Sequence, residues 1–318
     1  MRVLVTGGAG FLGSAFVRLV AQERPDWVIT ILDKLTYAGD LRRLKDVRFH
    51  FLHGDILDGN LAASLLMDHG VVVHFAAETH VDRSITRPDD FIRTNVLGTQ
   101  TLLEAARLAW EGEGLFVHLS TDEVYGPVAK GAAKESWPLQ PSSPYSASKL
   151  GAEAMVRAYQ KTYGLRAIVL RPCNGLGPFQ HPEKFIPRMT VRAILGRSLP
   201  VYGTGRQKRE WLAAEDIAMA ILFVLEKGTP GEIYNVGSGH EEENISVAGR
   251  VLDLLGKGRD LIEHVKDRPG HDTRYFMDSS KIKALGWEPS ISFDQALSDT
   301  VSWFRENPWW WEAWAEEV

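Results

Sequence analysis

The chain has 318 residues, 44% of them hydrophobic and 24% charged, and a net charge of −5. That length carries one large or two modest domains with real cores. The acidic balance weighs against a nucleic-acid or anionic-membrane partner, so a phosphate site has to be built locally from a few cations and backbone N–H groups. The single cysteine, Cys173, excludes an intrachain disulfide and a cysteine-rich zinc site. No metal is expected, and Cys173 reads as a small core thiol.

The first strand is expected almost at Met1, so no leader is expected, and no stretch has the apolar length of a bilayer span. The expectation is a cytoplasmic protein. Residues 2–6 form an apolar run that ends in glycines, and residues 14–22 have helical spacing. Further strands are expected at 27–32, ending at Asp33, at 47–52, ending near Gly54-Asp55, and at 71–75, 115–119 and 166–170. Helices separate most of them, notably at 95–109 and 146–163. Near-continuous apolar strands alternating with helices imply an α/β fold, a Rossmann-like doubly wound parallel sheet covered on both faces. From about Pro172 prolines and glycines crowd the chain and the elements shorten. The expectation is a dinucleotide domain over 1–171 and a smaller mixed C-terminal substrate lobe over 172–318. Segments near 211–240 return to the first domain, with a strand at 233–236. The Trp-rich end (Trp303, Trp309, Trp310, Trp311, Trp314) reads as helix packing rather than a ligand platform.

Between the first strand and the first helix stands Thr6-Gly7-Gly8-Ala9-Gly10-Phe11-Leu12-Gly13. Small residues let the backbone approach a pyrophosphate, and a helix N-terminus adds N–H donors and positive potential. Asp33 at the end of the second strand suits ribose hydroxyls and repels a 2′-phosphate, which favours NAD over NADP. Asp55-Ile56 are expected near the adenine, and Ala76-Ala77 are small where a cofactor passes close.

Tyr145 and Lys149 lie one helical turn apart, so the ammonium is expected to lower the phenol's pKa and let it take a hydroxyl proton. An exposed helix face is the competing explanation. Ser120 or Thr121 can bond a reacting oxygen. Asp122 and Glu123 follow a buried strand and are costly there unless used; apart in pKa, one would donate and one accept a proton. A solvated turn with a helix cap is the alternative. Arg206, Lys208, Arg209, Arg268, Arg274 and Lys184 are candidate diphosphate clamps.

These motifs resemble the extended short-chain dehydrogenase/reductase family, and within it the chain is similar to the dTDP-glucose 4,6-dehydratases. The resemblance runs nearly end to end, through residues 33–39, 75–84, 121–123, 141–145, 182–184, 200–203 and 267–272. It implies tightly held NAD, contacted by Gly7, Gly10, Phe11, Leu12, Gly13, Asp33, Lys34, Leu35, Thr36, Asp55, Ile56, Ala76, Ala77, Tyr145 and Lys149. It implies catalysis by Thr121, Asp122, Glu123, Tyr145 and Lys149, with dTDP-glucose as substrate and a 4-keto-6-deoxy sugar as product. Ser84, Asn174, Lys184, Pro200, Tyr202, Arg209, Asn244, Arg268 and His271 would hold the nucleotide sugar. A homodimer through the helices at 95–109 and 146–163 is also implied. The chain departs from the pattern at Gly175, where a second asparagine would meet the nicotinamide end, and at Glu210, where aspartate is commoner. A UDP-sugar 4-epimerase or decarboxylase on the same scaffold is the alternative, and it would not need both acids.

Overall fold

The computed structural model describes all residues, 1–318. Six strands lie in the first 172 residues: β1 (Arg2–Thr6), β2 (Val28–Asp33), β3 (His50–His53), β4 (Val71–His74), β5 (Leu115–Leu119) and β6 (Ala167–Pro172). Six follow: β7 (Asn174–Leu176), β8 (Leu199–Tyr202), β9 (Lys208–Ala213), β10 (Ile233–Val236), β11 (Glu241–Glu243) and β12 (Ile262–Val265). The main sheet has seven parallel strands in the order β10-β6-β5-β4-β1-β2-β3.

Alternation along β1 explains the layering. Val3 and Val5 enter a core with Phe16, Val17, Ile217 and Ile221 from the helices Phe11–Glu23 and Ala214–Lys227. Leu4 enters the opposite core with Leu102, Leu103 and Val156 from the helices Thr99–Trp110 and Pro144–Tyr163. Both faces are therefore buried, which is why these strands read as unbroken apolar runs. A three-stranded sheet (β11-β9-β7) and a two-stranded one (β12-β8) pack with the helices Phe185–Ile194, Asn244–Leu254 and Phe293–Glu306 around a third core. β10 then pairs with β6 in the main sheet.

Several boundaries differ from the sequence reading. The third strand begins at His50, not at residue 47, and is mostly exposed, because β3 is the sheet edge and apolar Val47 and Phe49 pack inward before pairing starts. The first helix opens at Phe11, three residues early, so Gly13 lies within its first turn. The segment at 95–109 is not one regular helix. The chain makes a π-helical stretch, Ile92–Gly98, before Thr99–Trp110. Buried Asn95 sits there, donating to the Glu78 carbonyl (3.0 Å) and the Ser148 hydroxyl (2.8 Å). β6 runs on through Pro172 rather than stopping at residue 170. No helix is long and apolar enough to cross a membrane.

Candidate active site

Strand order reverses at β1, where β2 continues to one side and β4 to the other. Open α/β sheets place ligands at such a point, beyond the carboxyl ends of the strands. A cavity of about 470 Å³ lies there, walled by the ends of β1, β2, β4, β5 and β6 and roofed by the second half of the chain.

One half of the cavity is built from backbone. Gly7 has φ of +70°, and a Cβ there would sit 2.5 Å from the Ala76 nitrogen. A Cβ at Gly13 would run into the Gly7 carbonyl and lie 2.9 Å from the Gly8 Cα. The helix starting at Phe11 has no side-chain cap, so its first N–H groups are free to face an anion. These features fit a dinucleotide pyrophosphate. Buried Asp33 accepts from the N–H groups of Ala9 (2.9 Å) and Leu35 (2.8 Å), which fixes its carboxylate at the rim. Burial pushes its pKa up, against those two bonds. Lys34 pairs with Asp55 at 2.6 Å beside it.

The reacting groups meet where β5 ends. Buried Thr121 caps the short turn Asp122–Tyr125, accepting from the Glu123 N–H (3.3 Å) and donating to Asp122 Oδ1 (3.1 Å). Asp122 Oδ2 is buried with no partner. Ser143 and Ser146 form a reciprocal capping box at the start of the helix Pro144–Tyr163, which carries Tyr145 as its second residue and Lys149 one turn further on. Burial, reinforced by Glu123 and by Glu210 on β9, holds the Asp122 carboxyl well above the usual carboxylate range. Glu123, half-buried, is also raised by burial, but Arg209, Arg268 and Lys184 oppose the shift. The two acids thus stand in different electrostatic surroundings, one suited to holding a proton and the other nearer to cations.

The expected acidification of Tyr145 is not a property of the protein alone. Burial, then the charge on Glu123, raises the phenol, and only its hydrogen bonding with Thr121 works the other way. Lys149 donates its ammonium to the Leu119 carbonyl, and burial lowers its pKa to about 8 against the pull of Glu153. A phenolate here therefore needs further positive charge close by.

The other half of the cavity is built from side chains. Arg209 is buried across the Tyr275 ring (4.3 Å to the centroid) and donates to the Asp272 carbonyl (2.9 Å). Arg268 reaches Asp82 (3.3 Å), His271 pairs with Asp267 (2.6 Å), and Lys184 donates to the Thr79 carbonyl (3.0 Å). Asn174 Nδ2 and Arg268 Nε are buried without partners. Tyr202 donates to Asp82 (3.2 Å), and Pro200, Asn244 and Trp211 complete this wall.

Two residues of the expected set stand off the cavity. Ser84 is fully buried beneath it, donating to the Val81 carbonyl (2.6 Å), and Leu35, left-handed at φ of +49°, does not line it. Three expected clamps are corrected. Lys208 (3.4 Å) and Arg274 (2.5 Å) both pair with Glu241, and Arg206 is exposed elsewhere. Sequence reading also passed over Arg43, Glu78 and Arg188, which line the cavity. A charged residue in a loop gives no sign of burial, so Arg43 carried no signal. Cys173 is buried at the cavity floor, and burial holds its thiol far above the ordinary value.

A family model described as GDP-mannose 4,6 dehydratase matches residues 4–300. The dTDP-glucose 4,6-dehydratase of Streptomyces niveus is 45% identical, over 98% of this chain and 95% of its own. The low-salt glycan biosynthesis protein Agl12 of Haloferax volcanii is 49% identical, over 96% and 98%. DesIV, a dTDP-glucose 4,6-dehydratase of Streptomyces venezuelae solved with NAD and TYD bound, superposes with a TM-score of 0.95 at 49% identity, over 98% of this chain and 99% of its own. With nearly its whole length matched in sequence and in structure, the chain belongs to the GDP-mannose 4,6 dehydratase family.

Proposed function

We propose that this protein is an NAD-dependent nucleotide-sugar 4,6-dehydratase that converts dTDP-glucose to dTDP-4-keto-6-deoxyglucose. The observation that carries this is the placing of Asp122 and Glu123 in one cavity with Tyr145. Oxidation at C4 needs a tyrosine alone, and an epimerase has no use for two further acids. The dTDP-glucose 4,6-dehydratases that match the chain over nearly its full length support the same reading.

NAD, when bound, supplies a hydride acceptor for C4 and a hydride donor for C6. The glycine loop would hold its pyrophosphate and Asp33 its adenosine ribose, with Lys34, Thr36, Asp55 and Ile56 lining the cavity where the adenosine would lie. Ala76 and Ala77 let it pass close to the sheet. Tyr145, supported by Thr121 and Lys149, takes the proton from O4 of the sugar. The 4-ketone acidifies the neighbouring C5–H because its enolate spreads the charge. Glu123 removes that proton. Asp122, kept protonated by burial and by its acidic neighbours, gives its proton to the departing C6 hydroxyl, which leaves as water. Lys184, Arg209, Arg268 and His271 bind the diphosphate and sugar, with Asn174, Asn244, Pro200 and Tyr202 around them and Ser84 supporting from below. The enzyme works in the cytoplasm in deoxysugar biosynthesis, as a homodimer whose contact uses Leu97, Leu108 and Tyr163, all exposed on the expected helices.

The test is to incubate the purified protein with dTDP-glucose, without added cofactor, and look by mass spectrometry for loss of one water. Loss supports the assignment and shows that NAD copurifies and is recycled. No loss even with added NAD overturns it, and UDP-sugars would then be tried for epimerisation and decarboxylation.

A further inference from the structure

The Trp-rich end of the chain has no task in the chemistry above, yet it is tied to the cofactor half of the cavity through one buried cation. Arg43 is 2% exposed and forms no ion pair with a carboxylate. Its Nη1 donates to the carbonyls of Ala9 (2.8 Å) and Ala38 (2.7 Å), and its Nε to that of Phe179 (3.0 Å). Ala9 lies in the glycine loop, Ala38 in the loop after β2, and Phe179 in the segment after β7. One guanidinium therefore joins three separate segments of the chain.

Trp310 closes the arrangement. It is fully buried, its ring centroid is 4.7 Å from the Arg43 guanidinium, and its indole N–H donates to the Gln180 carbonyl at 3.0 Å. Gln180 in turn donates to the Gly175 carbonyl at 2.9 Å. Phe179 has φ of +65°, a conformation that a bulky residue keeps only when its surroundings impose it. Here Trp303 (4.6 Å between ring centroids), Trp310 (5.5 Å) and the Arg43 bond impose it. The chain end is anchored too, because Arg192 donates to the Val318 carbonyl at 2.7 Å.

We propose that the C-terminal segment is a cofactor lock: Trp310 and Arg43 hold residues 179–181 down across the glycine loop and so set how slowly NAD leaves. This rests on the NAD reading above but not on the identity of the sugar. It also gives meaning to Gly175. A Cβ there would face the Leu12, Phe11 and Ile217 side chains at 3.2–3.3 Å, so the asparagine expected at this position would have pointed at the same loop. With that side chain gone, retention falls to the backbone carbonyl that Gln180 engages.

The experiment compares wild-type holoenzyme with Trp310→Ala, Trp310→Phe and Arg43→Lys. Two quantities are read: NAD remaining per chain after gel filtration, and the rate at which bound NAD exchanges with isotopically labelled NAD. Circular dichroism and melting curves report whether each variant is folded. Trp310→Ala and Arg43→Lys are expected to exchange roughly tenfold faster or more, with Trp310→Phe, which keeps the ring face and loses the N–H, in between. Exchange at the wild-type rate in folded Trp310→Ala overturns the lock. If Trp310→Ala does not fold, wild-type exchange in both Trp310→Phe and Arg43→Lys overturns it. Wild-type protein that neither holds nor takes up NAD overturns the lock together with the NAD reading, and this control separates the two failures.

Discussion

The two halves of the cavity are made of different materials. The cofactor half is glycine, backbone N–H and one fixed carboxylate, with its shape set by what is absent: a Cβ at Gly7 or Gly13 would meet backbone. The other half, which takes the nucleotide sugar in the proposed reading, is Arg209, Arg268, Lys184 and His271, side chains already engaged by Asp272, Asp82, Thr79 and Asp267. Backbone shape cannot be adjusted by a rotamer change, whereas a charged side chain can re-aim. The first half should therefore fail completely when altered and the second by degrees. The acids between them, at the β5 terminus, act on the reaction itself in the proposed reading, so their loss should show in turnover rather than in binding.

The largest effect expected is from Asp122→Asn. An amide cannot deliver the proton to C6, so turnover to the keto-deoxy sugar should fall by roughly 10³-fold, within the usual range for a lost general acid. C4 oxidation should survive, seen as reduced nicotinamide accumulating in the absorbance spectrum. Equal loss of both steps would mean that Asp122 only supports the fold. Gly13→Ala comes next. Its methyl meets the Gly7 carbonyl and the Gly8 Cα, so stability should drop by about 3 kcal/mol in urea melts and NAD content should go to nothing. A folded Gly13→Ala that keeps its NAD would dissolve the contrast between the halves.

Glu210, on β9, does not line the cavity, and its pKa is pushed up to about 7. It is fully buried, accepts from the N–H groups of Gly239 (2.6 Å) and Met277 (3.2 Å), and burial raises its pKa from 4.5 to about 7. The folded state thus holds this proton more tightly than the unfolded chain does. Stability from this group is complete below about pH 4.5 and is lost as pH rises through about 7. The difference amounts to roughly 3 kcal/mol between those limits. Thermal melts from pH 5 to 8 should slope downward, and Glu210→Gln should flatten the slope, at some cost because its NH₂ would face one of the two N–H donors.

Arg268→Met should act by degrees: KM for the nucleotide sugar up about tenfold, kcat reduced less, and NAD content unchanged. The smallest effect belongs to a charge outside either half. Arg259 pairs with Asp253 at 2.6 Å, but both are more than half exposed, so Arg259→Ala should shift stability by no more than about 0.5 kcal/mol.

What could be read in the sequence follows the same division. Backbone-built features are local, so the glycine loop, Asp33 at the end of β2 and the apolar strands stand out in a single pass. β3 slips by three residues because an edge strand lacks the second buried face that makes a run unmistakable. Side-chain sites depend on partners far away in sequence. Lys208 and Arg274 look like phosphate ligands until Glu241, from the antiparallel neighbour of β9, takes both. Asn95 and its π-helical turn are invisible without Glu78 and Ser148 beside them. The Tyr145–Lys149 spacing puts both groups in one cavity, but one-dimensional spacing carries no dielectric, and burial reverses the expected shift of the phenol.

The pairing of β10 with β6 has a consequence for how the molecule is assembled and handled. The chain leaves the main sheet after β6, builds much of the roof, and only then supplies the strand that covers the β6 edge. A ribosome that has released only the first 172 residues has therefore made a six-stranded sheet whose last strand, buried on both faces in the finished molecule, has a row of free N–H and C=O groups along one side. That nascent edge is a template for intermolecular pairing. Synthesis of this protein passes through a sticky interval that ends only when residue 236 emerges, and fragments cut inside it should precipitate rather than fold.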